Sequence, residues 1–337
     1  MAVTTTEQTK RRQSRLAILS NINLAALLLL IVCELVIAER TWFTTLLTYM
    51  PQQPFILPAV VLLMIALFKR QWRVALVNGL AAIICLFTLL GFNIPKPATY
   101  ARGYPVRVMT LNLHHLSAGT GAVMALIERE QPDVLCLQEV NVSHTDPVER
   151  VARRLPGWQV ARTHEVAVFS RFPIRERHVH PVPDTGRALL ETIFEIEGKR
   201  FAVLNIHMST SSTPRSLFTP GTSRRAHLRL SAAIRSQQVR QMLEIAERSS
   251  YPMLIAGDFN TPPRGILYRR LRGRFTDVFA QRGWGTGYTF PTRLPVMRID
   301  FIFADNGFTV LKCRRSALKA SDHYAVTAEV MLRGGAN

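Results

Sequence analysis

Acidic, amide and imidazole side chains stand at the ends of several apolar stretches in this 337-residue chain. The set comprises Asn112, His114, Glu139, His207, Asp258, Asn260, Asp300, Asp322 and His323. Carboxylate oxygens suit Mg²⁺, which typically binds one or two protein carboxylates and keeps positions for water and a substrate phosphate. Histidine and asparagine N–H groups can donate to an oxyanion as charge builds in a transition state. The set therefore predicts metal-assisted hydrolysis of a phosphoester or phosphoanhydride.

Taken singly, these residues have ordinary structural explanations. Asp258 follows a glycine, as turn residues often do, and Glu139 near the end of VLCLQEV (134–140) could be a solvated strand end. The set as a whole favours function, because α/β folds bring strand ends together at one edge, where sites tend to form. Structural zinc is disfavoured, since no cysteine joins the set and HExxH spacing is absent.

Short apolar runs that alternate with helical stretches after residue 105 would position these side chains. The predicted strands are 106–113, 134–137, 166–169, 201–206, 253–256, 299–303 and 325–331. The predicted helices are 122–130, 147–155 and 225–248. A long loop at 208–223 carries Leu217 and Phe218, with Arg215, Arg224 and Arg225 nearby. It is either a polar loop or a segment that dips into an anionic membrane interface.

The first 96 residues contain three apolar stretches, at 16–38, 50–68 and 74–92, with the length of bilayer-spanning helices. A signal peptide is the alternative for the first, but the stretch is too long and lacks a small-residue cleavage site. Basic clusters precede the first stretch and separate the second from the third, which places both clusters in the cytoplasm. Three spans would therefore put a domain at 106–333, after a linker at 97–105, outside the cytoplasm.

Composition and charge are consistent with a membrane region joined to a basic domain. Hydrophobic residues make up 48% of the chain, which is high for a soluble protein. The net charge is +19, and residues 97–337 carry 33 Lys and Arg against 20 Asp and Glu. Such a domain favours an anionic partner: nucleic acid, phospholipid head groups or a phosphorylated small molecule. The four cysteines show no pairing pattern, so no disulfide framework is expected.

Seven motifs in order over about residues 104–333 resemble the endonuclease/exonuclease/phosphatase superfamily. They are TLNLHH (110–115), LQEV (137–140), SRFPI (170–174), NIH (205–207), GDFN (257–260), RIDFIF (298–303) and SDHYAV (321–326). The resemblance implies a four-layer α/β sandwich of two packed sheets flanked by helices. One position departs from the abasic-site endonucleases of this superfamily, which carry Asp where this chain has His114.

Motif by motif, the resemblance also implies roles. Glu139 is expected to be the principal ligand of Mg²⁺, for which Mn²⁺ could substitute, with Asn112 beside it and Asp322 assisting. Asp258 would orient or deprotonate the attacking water. The remaining implied roles are phosphoryl contacts from Asn260 and His207, a phosphate contact or acid role for His323 held in its tautomer by Asp300, and either a phosphate contact or a structural role for Arg298.

The membrane region makes the chain similar to the membrane phosphatases associated with vancomycin and teicoplanin resistance (VanJ type). That similarity implies an extracytoplasmic, lipid-linked substrate such as polyprenyl pyrophosphate, and a link to antibiotic resistance. The alternatives are a membrane-anchored nuclease, a phosphodiesterase of the phospholipid or sphingomyelin type, and a non-enzymatic binding module. Retention of every acid, His and Asn of the set disfavours the last.

Overall fold

The computed structural model describes residues 2–97, 102–141, 146–210 and 224–334. Leu217, Phe218 and Arg215 of the long loop lie outside these residues, and the side chains of Arg224 and Arg225 are likewise not described. The chain divides into two compact units, Met1–Phe92 and Asn93–Asn337. The division falls four residues before the predicted end of the membrane region.

The first unit is helical. Helix α1 (Ala2–Val32) continues into a π-helical turn (Cys33–Ile37), and α2 (Trp42–Tyr49), α3 (Leu57–Phe68) and α4 (Trp72–Ile84) follow. Two segments, Arg15–Arg40 and Trp72–Leu89, are long and apolar enough to cross a membrane. They correspond to the first and third predicted spans.

The second predicted span, at 50–68, is not one straight helix. Trp42–Tyr49 and Gln53–Phe68 form a pair bent by 80°. Prolines 51, 54 and 58 lie at and after this bend, where their missing N–H groups and their constraint on the preceding residue interrupt a helix. The described part of the chain therefore contains two candidate spans, or three if the bent pair crosses as one.

Helices α1 and α4 share a polar contact within their apolar surroundings. Asn78 Nδ2 donates to Ser20 Oγ at 2.8 Å, and both side chains are buried. A polar residue that weakens the hydropathy of α4 thus serves as an interhelical hydrogen bond, as is common between membrane helices.

The second unit contains two six-stranded sheets. The first has the order β11-β12-β1-β2-β4-β3 and the second the order β5-β6-β7-β8-β10-β9. The strands are β1 (Gly103–Asn112), β2 (Val134–Gln138), β3 (Gln159–Arg162), β4 (Val166–Ser170), β5 (Ile174–Pro181), β6 (Ala188–Ile196), β7 (Lys199–His207), β8 (Met253–Asp258), β9 (Thr276–Asp277), β10 (Asp300–Ala304), β11 (Phe308–Arg315) and β12 (Val326–Arg333). Each sheet holds one parallel pair, β1 with β2 and β7 with β8.

Helices cover the outer faces of the two sheets. They are α5 (Gly119–Glu130), α6 (Pro147–Ala152), α7 (Arg224–Arg248) and α8 (Gly265–Arg272). The short α9 (Val278–Arg282) instead packs Val278 and Phe279 between the two sheets. One buried cluster joins the inner faces of both sheets, where Val108 and Cys136 pack with Val203 and Ala256. A second packs α5 and α6 on the first sheet, and a third packs α7 and α8 on the second. The two packed mixed sheets flanked by helices confirm the predicted α/β sandwich.

All seven predicted strands are present, but five of the twelve strands were not predicted. Four of these, β3, β5, β9 and β11, occupy sheet edges, and β6 neighbours the edge strand β5. Strand β5 has Ile174 and Val179 among charged and imidazole side chains and is largely exposed. The apolar runs of the edge strands are short, because only one face of an edge strand packs against the core. Strand β6 is buried over residues 189–194, but Glu191 and Thr192 interrupt its apolar run.

Candidate active site

The strand registers bring polar residues of both sheets to one edge. Asn112 pairs with Gln138 across the parallel strands β1 and β2, so Glu139 comes directly after the pair. His207 pairs with Asp258 across β7 and β8, and Asp258 pairs with Asp300 across β8 and β10. The ends of these paired strands thus fix where the carboxylates and the imidazole lie.

Asn112 links the two sheets at this edge. Its Nδ2 donates to Glu139 Oε1 at 2.9 Å and to Asp258 Oδ2 at 3.0 Å. Its Oδ1 accepts the backbone N–H of His114 at 2.9 Å, which sets the orientation of the amide. Asn112 therefore lies beside Glu139 as predicted, but it presents its NH₂ group to the carboxylates. Its oxygen would face a cation there only if the amide turned over.

Glu139 emerges from a wholly buried strand. The backbone of Glu139 is left-handed, with φ +53°, and this turns the chain out of the core. Its side chain is 24% exposed and lies 3.7 Å from His207 Nε2 (Oε1) and 3.7 Å from His115 Nε2 (Oε2). An anchored carboxylate at the rim, with imidazoles beside it, can face both solvent and the buried groups.

Two polar residues that precede this edge are structural. Gln138 Nε2 donates to Asn205 Oδ1 at 2.8 Å, and Asn205 Nδ2 donates to the carbonyls of Leu137 and Ala167. These buried bonds tie strand β7 to strands β2 and β4 of the other sheet. They fix the position of β7 relative to β2 and β4 next to the candidate site, because buried polar groups stay paired.

Asp258, Asp300 and His323 form a buried cluster. His323 Nδ1 lies 2.9 Å from Asp300 Oδ2, and its Nε2 lies 3.9 Å from Asp258 Oδ2. Burial alone would lower the pKa of His323, but the charges of Asp300 and Asp258 raise it to about 10, so the ring is an imidazolium. Burial and the nearby charge of Asp300 raise the pKa of Asp258. The structure thus places Asp300 against Nδ1 of His323, where its charge orients the ring and stabilises the protonated form.

His207 has a partner that the sequence did not indicate. Its Nδ1 lies 2.9 Å from Glu165 Oε1, and Arg187 Nη1 lies 2.6 Å from the same oxygen. Burial would raise the pKa of Glu165, but the hydrogen bond and charge of His207 and the charge of Arg187 together hold it below the usual range. Glu165 comes just before strand β4, and its partner His207 belongs to the other sheet, so strand-end reasoning missed it.

We expect the charge of Glu165 to be needed for His207 to act. Replacing Glu165 by Gln keeps the size of the side chain but removes the carboxylate that fixes the imidazole, and should lower kcat by about 10–100-fold with little change in KM. Steady-state kinetics on a phosphate ester would measure this. Glu195→Gln, at a surface pair with Arg175, is the matched control and should leave kcat unchanged. If both variants are as active as the unmodified chain, Glu165 has no role in the activity of the site.

Asn260 and Asp322 lie at the same edge with other partners. Asn260 Nδ2 donates to the carbonyl of Met208 at 3.0 Å and lies 3.4 Å from Asp258 Oδ2. Asp322 Oδ2 lies 3.5 Å from His114 Nδ1, and 37% of the Asp322 side chain is exposed. His114, His115 and Leu116 all have positive φ, a strained run that belongs to the same rim.

Arg298 does not join this set. Its guanidinium donates to both oxygens of Asp277, at 3.1 and 2.8 Å, and lies over the rings of Phe279 and Phe301. Arg298 and Asp277 are both buried. Of the two roles that the sequence left open for Arg298, phosphate contact or structure, the geometry supports the structural one.

The donor set suits a hard divalent cation. Asp258, Asp300 and His323 have ligand atoms that all lie within 4.8 Å of one another. The protonated ring of His323 has no lone pair for a cation, so the carboxylates are the available ligands in this group. Glu139 shares the Asn112 amide with Asp258. Burial and like charge raise the pKa of Asp258, which is the state expected of carboxylates that need a compensating positive charge. Oxygen donors dominate, as magnesium and manganese prefer.

Comparison with known sequences covers most of the second unit. A sequence profile of the endonuclease/exonuclease/phosphatase family matches residues 109–323. The uncharacterized protein YbhP of Escherichia coli (strain K12) is 23% identical over 265 residues, which cover 68% of this chain and 97% of YbhP.

Solved structures share the fold. The endonuclease/exonuclease/phosphatase from Beutenbergia cavernae is 23% identical with a TM-score of 0.55, covering 69% of this chain and 72% of that one. The 3′ phosphatase NExo from Neisseria, bound to a product DNA hairpin, is 20% identical with a TM-score of 0.52, covering 66% and 98%. A humanized D. rerio TDP2 is 16% identical with a TM-score of 0.52, covering 67% and 98%.

Proposed function

This chain belongs to the endonuclease/exonuclease/phosphatase family, and we propose that its second unit is a phosphohydrolase that depends on a divalent cation. The observation that carries the proposal is the edge where Asn112 bonds both Glu139 and Asp258. His207 Nε2 and His323 Nε2 lie 3.7 and 3.9 Å from the same oxygen of Asp258. Carboxylates for a cation and N–H donors for a phosphoryl group therefore converge on one point.

The cation would be held by Glu139, with Asp322 and the amide oxygen of Asn112 assisting once that amide turns over. Mg²⁺, or Mn²⁺ in its place, would supply positive charge against the oxygens of the phosphoryl group. The Glu139 side chain is partly exposed, which leaves room for water and substrate, as is common at magnesium sites in proteins.

Asp258 is the proposed base. Its pKa is raised by burial and by Asp300, which brings it nearer to the pH at which a general base works best. The backbone N–H of Asn260 donates to Asp258 Oδ1 at 2.8 Å, so the carboxylate is oriented before water approaches, whichever way the Asn112 amide is turned. Asp258 accepts the proton of the attacking water as the bond to phosphorus forms.

His207, Asn260 and His323 act on the phosphoryl group and the leaving oxygen. Glu165 accepts the Nδ1–H of His207, so the ring can donate from Nε2 only as an imidazolium, the form that the carboxylate stabilises. In that form its Nε2–H would donate to a phosphoryl oxygen. Asn260 is the second proposed donor. His323 is held by Asp300 at Nδ1 and, as an imidazolium, donates its Nε2 proton to the leaving oxygen.

For the substrate, we propose a lipid-linked phosphoanhydride or phosphoester, such as a polyprenyl pyrophosphate, at the outer face of the membrane. The candidate spans of the first unit support a substrate that is confined to a bilayer, because tethering raises its effective concentration. The similarity to VanJ-type phosphatases supports the same substrate and, through it, a role in resistance to cell-wall antibiotics.

The alternative is a membrane-anchored nuclease. It is favoured by the fold shared with NExo, which was solved with a product DNA hairpin, and by the basic second unit. It leaves the membrane region without a role. A nuclease of this charge would lose affinity steeply as salt rises, and cleavage of plasmid DNA at two salt concentrations separates the two functions.

The side of the membrane is a separate prediction. A reporter enzyme that is active only outside the cytoplasm, fused after Asn337, should be active if the chain crosses three times. The same reporter fused after Arg70, in the basic segment between the second and third stretches, should be inactive. An inactive C-terminal fusion would mean that the bent pair does not cross and that the second unit faces the cytoplasm.

A further inference from the structure

Three exposed apolar residues belong to segments that meet at one cavity of the second unit. Ile94, Trp284 and Leu294 are 56%, 68% and 70% exposed. Asn93 and Gly285 exchange two backbone hydrogen bonds, at 2.8 and 2.9 Å, which holds Ile94 beside Trp284. Pro295, next to Leu294, lines the same cavity as Trp284. We call these three residues, together with Arg293, Lys312 and Arg315, the Trp284 surface.

The cavity under Trp284 has a volume of about 500 Å³ and a basic wall formed by the end of strand β11. In this wall, Arg314 Nη2 already forms an ion pair with Glu130 Oε2, at 2.9 Å. Arg315 lies over the ring of Tyr324, at 4.1 Å, and its buried Nη1 has no hydrogen-bond acceptor among the described residues. Lys312 is exposed. Arg315 and Lys312 can therefore bind an anion that enters the cavity.

The charged side chains that line this cavity are all basic: Arg282, Lys312, Arg314 and Arg315. Residues 278–299 and 306–321 carry seven Lys and Arg and no Asp or Glu. Glu329, which faces Lys312 across the sheet, is shared with Arg107 and Arg314. Tryptophan and leucine exposed among basic side chains are typical of a surface that enters the head-group region of an anionic bilayer.

Chain connectivity also favours a bilayer over a nucleic acid. The apolar sequence of the first unit ends at Phe92, and Asn93 begins the second unit by bonding to Gly285. The Trp284 surface is thus the first part of this unit that the chain reaches. Ile94 and Leu294 offer no hydrogen-bond donor or positive charge to a phosphate backbone, whereas burial of their apolar surface at an acyl-chain boundary would be favourable.

We propose that the Trp284 surface docks on an anionic lipid bilayer, with Trp284, Leu294 and Ile94 at the head-group level and Arg315 and Lys312 on lipid phosphates. The segment that carries this surface also reaches the candidate active site. Phe290 packs on His323, with ring centroids 4.6 Å apart, and Thr292 N–H donates to the carbonyl of Asp322. Docking would therefore present the catalytic edge to phosphates at the bilayer surface, whichever of them is the substrate.

Quenching by brominated lipids in nanodiscs tests this docking with the full-length chain. A variant that keeps Trp284 as its only tryptophan is compared with one that keeps only Trp158, which lies under Arg171. We expect Trp284 to be quenched in phosphatidylglycerol discs, to be quenched much less in phosphatidylcholine discs, and to lose quenching in Lys312→Gln/Arg315→Gln. Trp158 should stay unquenched in both.

Two results would overturn the proposal: no quenching of Trp284 in anionic discs, or quenching that neither the lipid charge nor the two cations affect. A change in Trp284 emission on adding DNA, without quenching by lipid, would reassign the surface to nucleic acid. If the single-tryptophan chains do not fold, Trp284→Phe in the otherwise unchanged chain reports the same component by difference. No readout here uses catalysis, so this test and the proposed hydrolysis can fail independently.

Discussion

Replacing Asp258 by Asn should lower the rate of phosphate release by about 10²–10⁴-fold, the range typical of a lost general base. Asparagine keeps the size of the side chain and one acceptor oxygen for Asn112 or the Asn260 N–H, but it cannot take a proton from water. Most of the loss should appear in kcat. The measurement is steady-state kinetics of the full-length chain in detergent, with folding checked by circular dichroism.

Asp184→Asn is the matched control for this change. Asp184 is exposed in a turn with φ +61°, a backbone conformation that asparagine adopts readily. We expect its activity to equal that of the unmodified chain. If Asp258→Asn is equally active, then Asp258 is not the base, and its raised pKa reflects only the crowding of buried carboxylates.

Replacing Arg298 by Met should destabilise the second unit by about 3–5 kcal/mol, because it leaves the carboxylate of Asp277 buried without its cation. The pKa of Asp277 is lowered in the folded protein: burial opposes this, but the charge and hydrogen bonds of Arg298 prevail. A lowered pKa contributes stability above the pKa of an ordinary aspartate and loses it as pH falls. The stability that Arg298→Met loses relative to the unmodified chain should therefore be smaller at acidic pH. Urea-dependent proteolysis of the full chain at two pH values measures it.

Two further variants separate a structural role from a catalytic one. Arg293→Met, at an exposed position in the same segment, should change stability little. Arg298→Met/Asp277→Leu removes both charges and should be more stable than Arg298→Met alone, since no unpaired charge remains. If Arg298→Met keeps its stability and loses activity instead, Arg298 contacts the substrate.

The strand-end residues of the site could be predicted because their signal is local. Glu139 and Asp258 interrupt or end runs that are otherwise apolar, and a polar residue at that point needs a reason. Glu165 gave no such signal, since its role depends on His207, which comes from the other sheet. The orientation of the Asn112 amide is set by the N–H of His114, a contact that sequence spacing does not reveal.

The same limit applies to the fold. Most strands buried on both faces were visible as apolar runs, but Glu191 and Thr192 hide the buried strand β6. Strand β11 mixes Phe308 and Val310 with Lys312 and Arg314 and has an irregular register between Val310 and Lys312. The prolines at 51, 54 and 58 predicted an interruption near the second apolar stretch, but the number of spans depends on the angle of the bend there. A bend of 80° leaves Gln53–Phe68 with 16 helical residues, fewer than the roughly 20 that a bilayer requires.

The role of Arg298 shows how a motif residue can mislead. It stands directly before the Ile299–Asp300 pair that delivers a site carboxylate, so its position in the sequence suggests a phosphate contact. Its partner, Asp277, lies 21 residues earlier, on the short strand β9 next to β10. Only the pairing of β9 with β10 shows that the guanidinium of Arg298 is already bound to Asp277.

Phosphate release from polyprenyl pyrophosphate by the purified full-length chain, with Mg²⁺ or with EDTA, tests the proposed function most directly. Inositol phosphate, a sphingomyelin-type diester and plasmid DNA complete the panel, and Glu139→Gln is assayed beside the unmodified chain. We expect release from the pyrophosphate that stops with EDTA, returns with excess Mg²⁺ and is lost in Glu139→Gln. Release that EDTA and Glu139→Gln leave unchanged, or hydrolysis of plasmid DNA alone, would contradict a cation-dependent phosphohydrolase of a lipid-linked substrate.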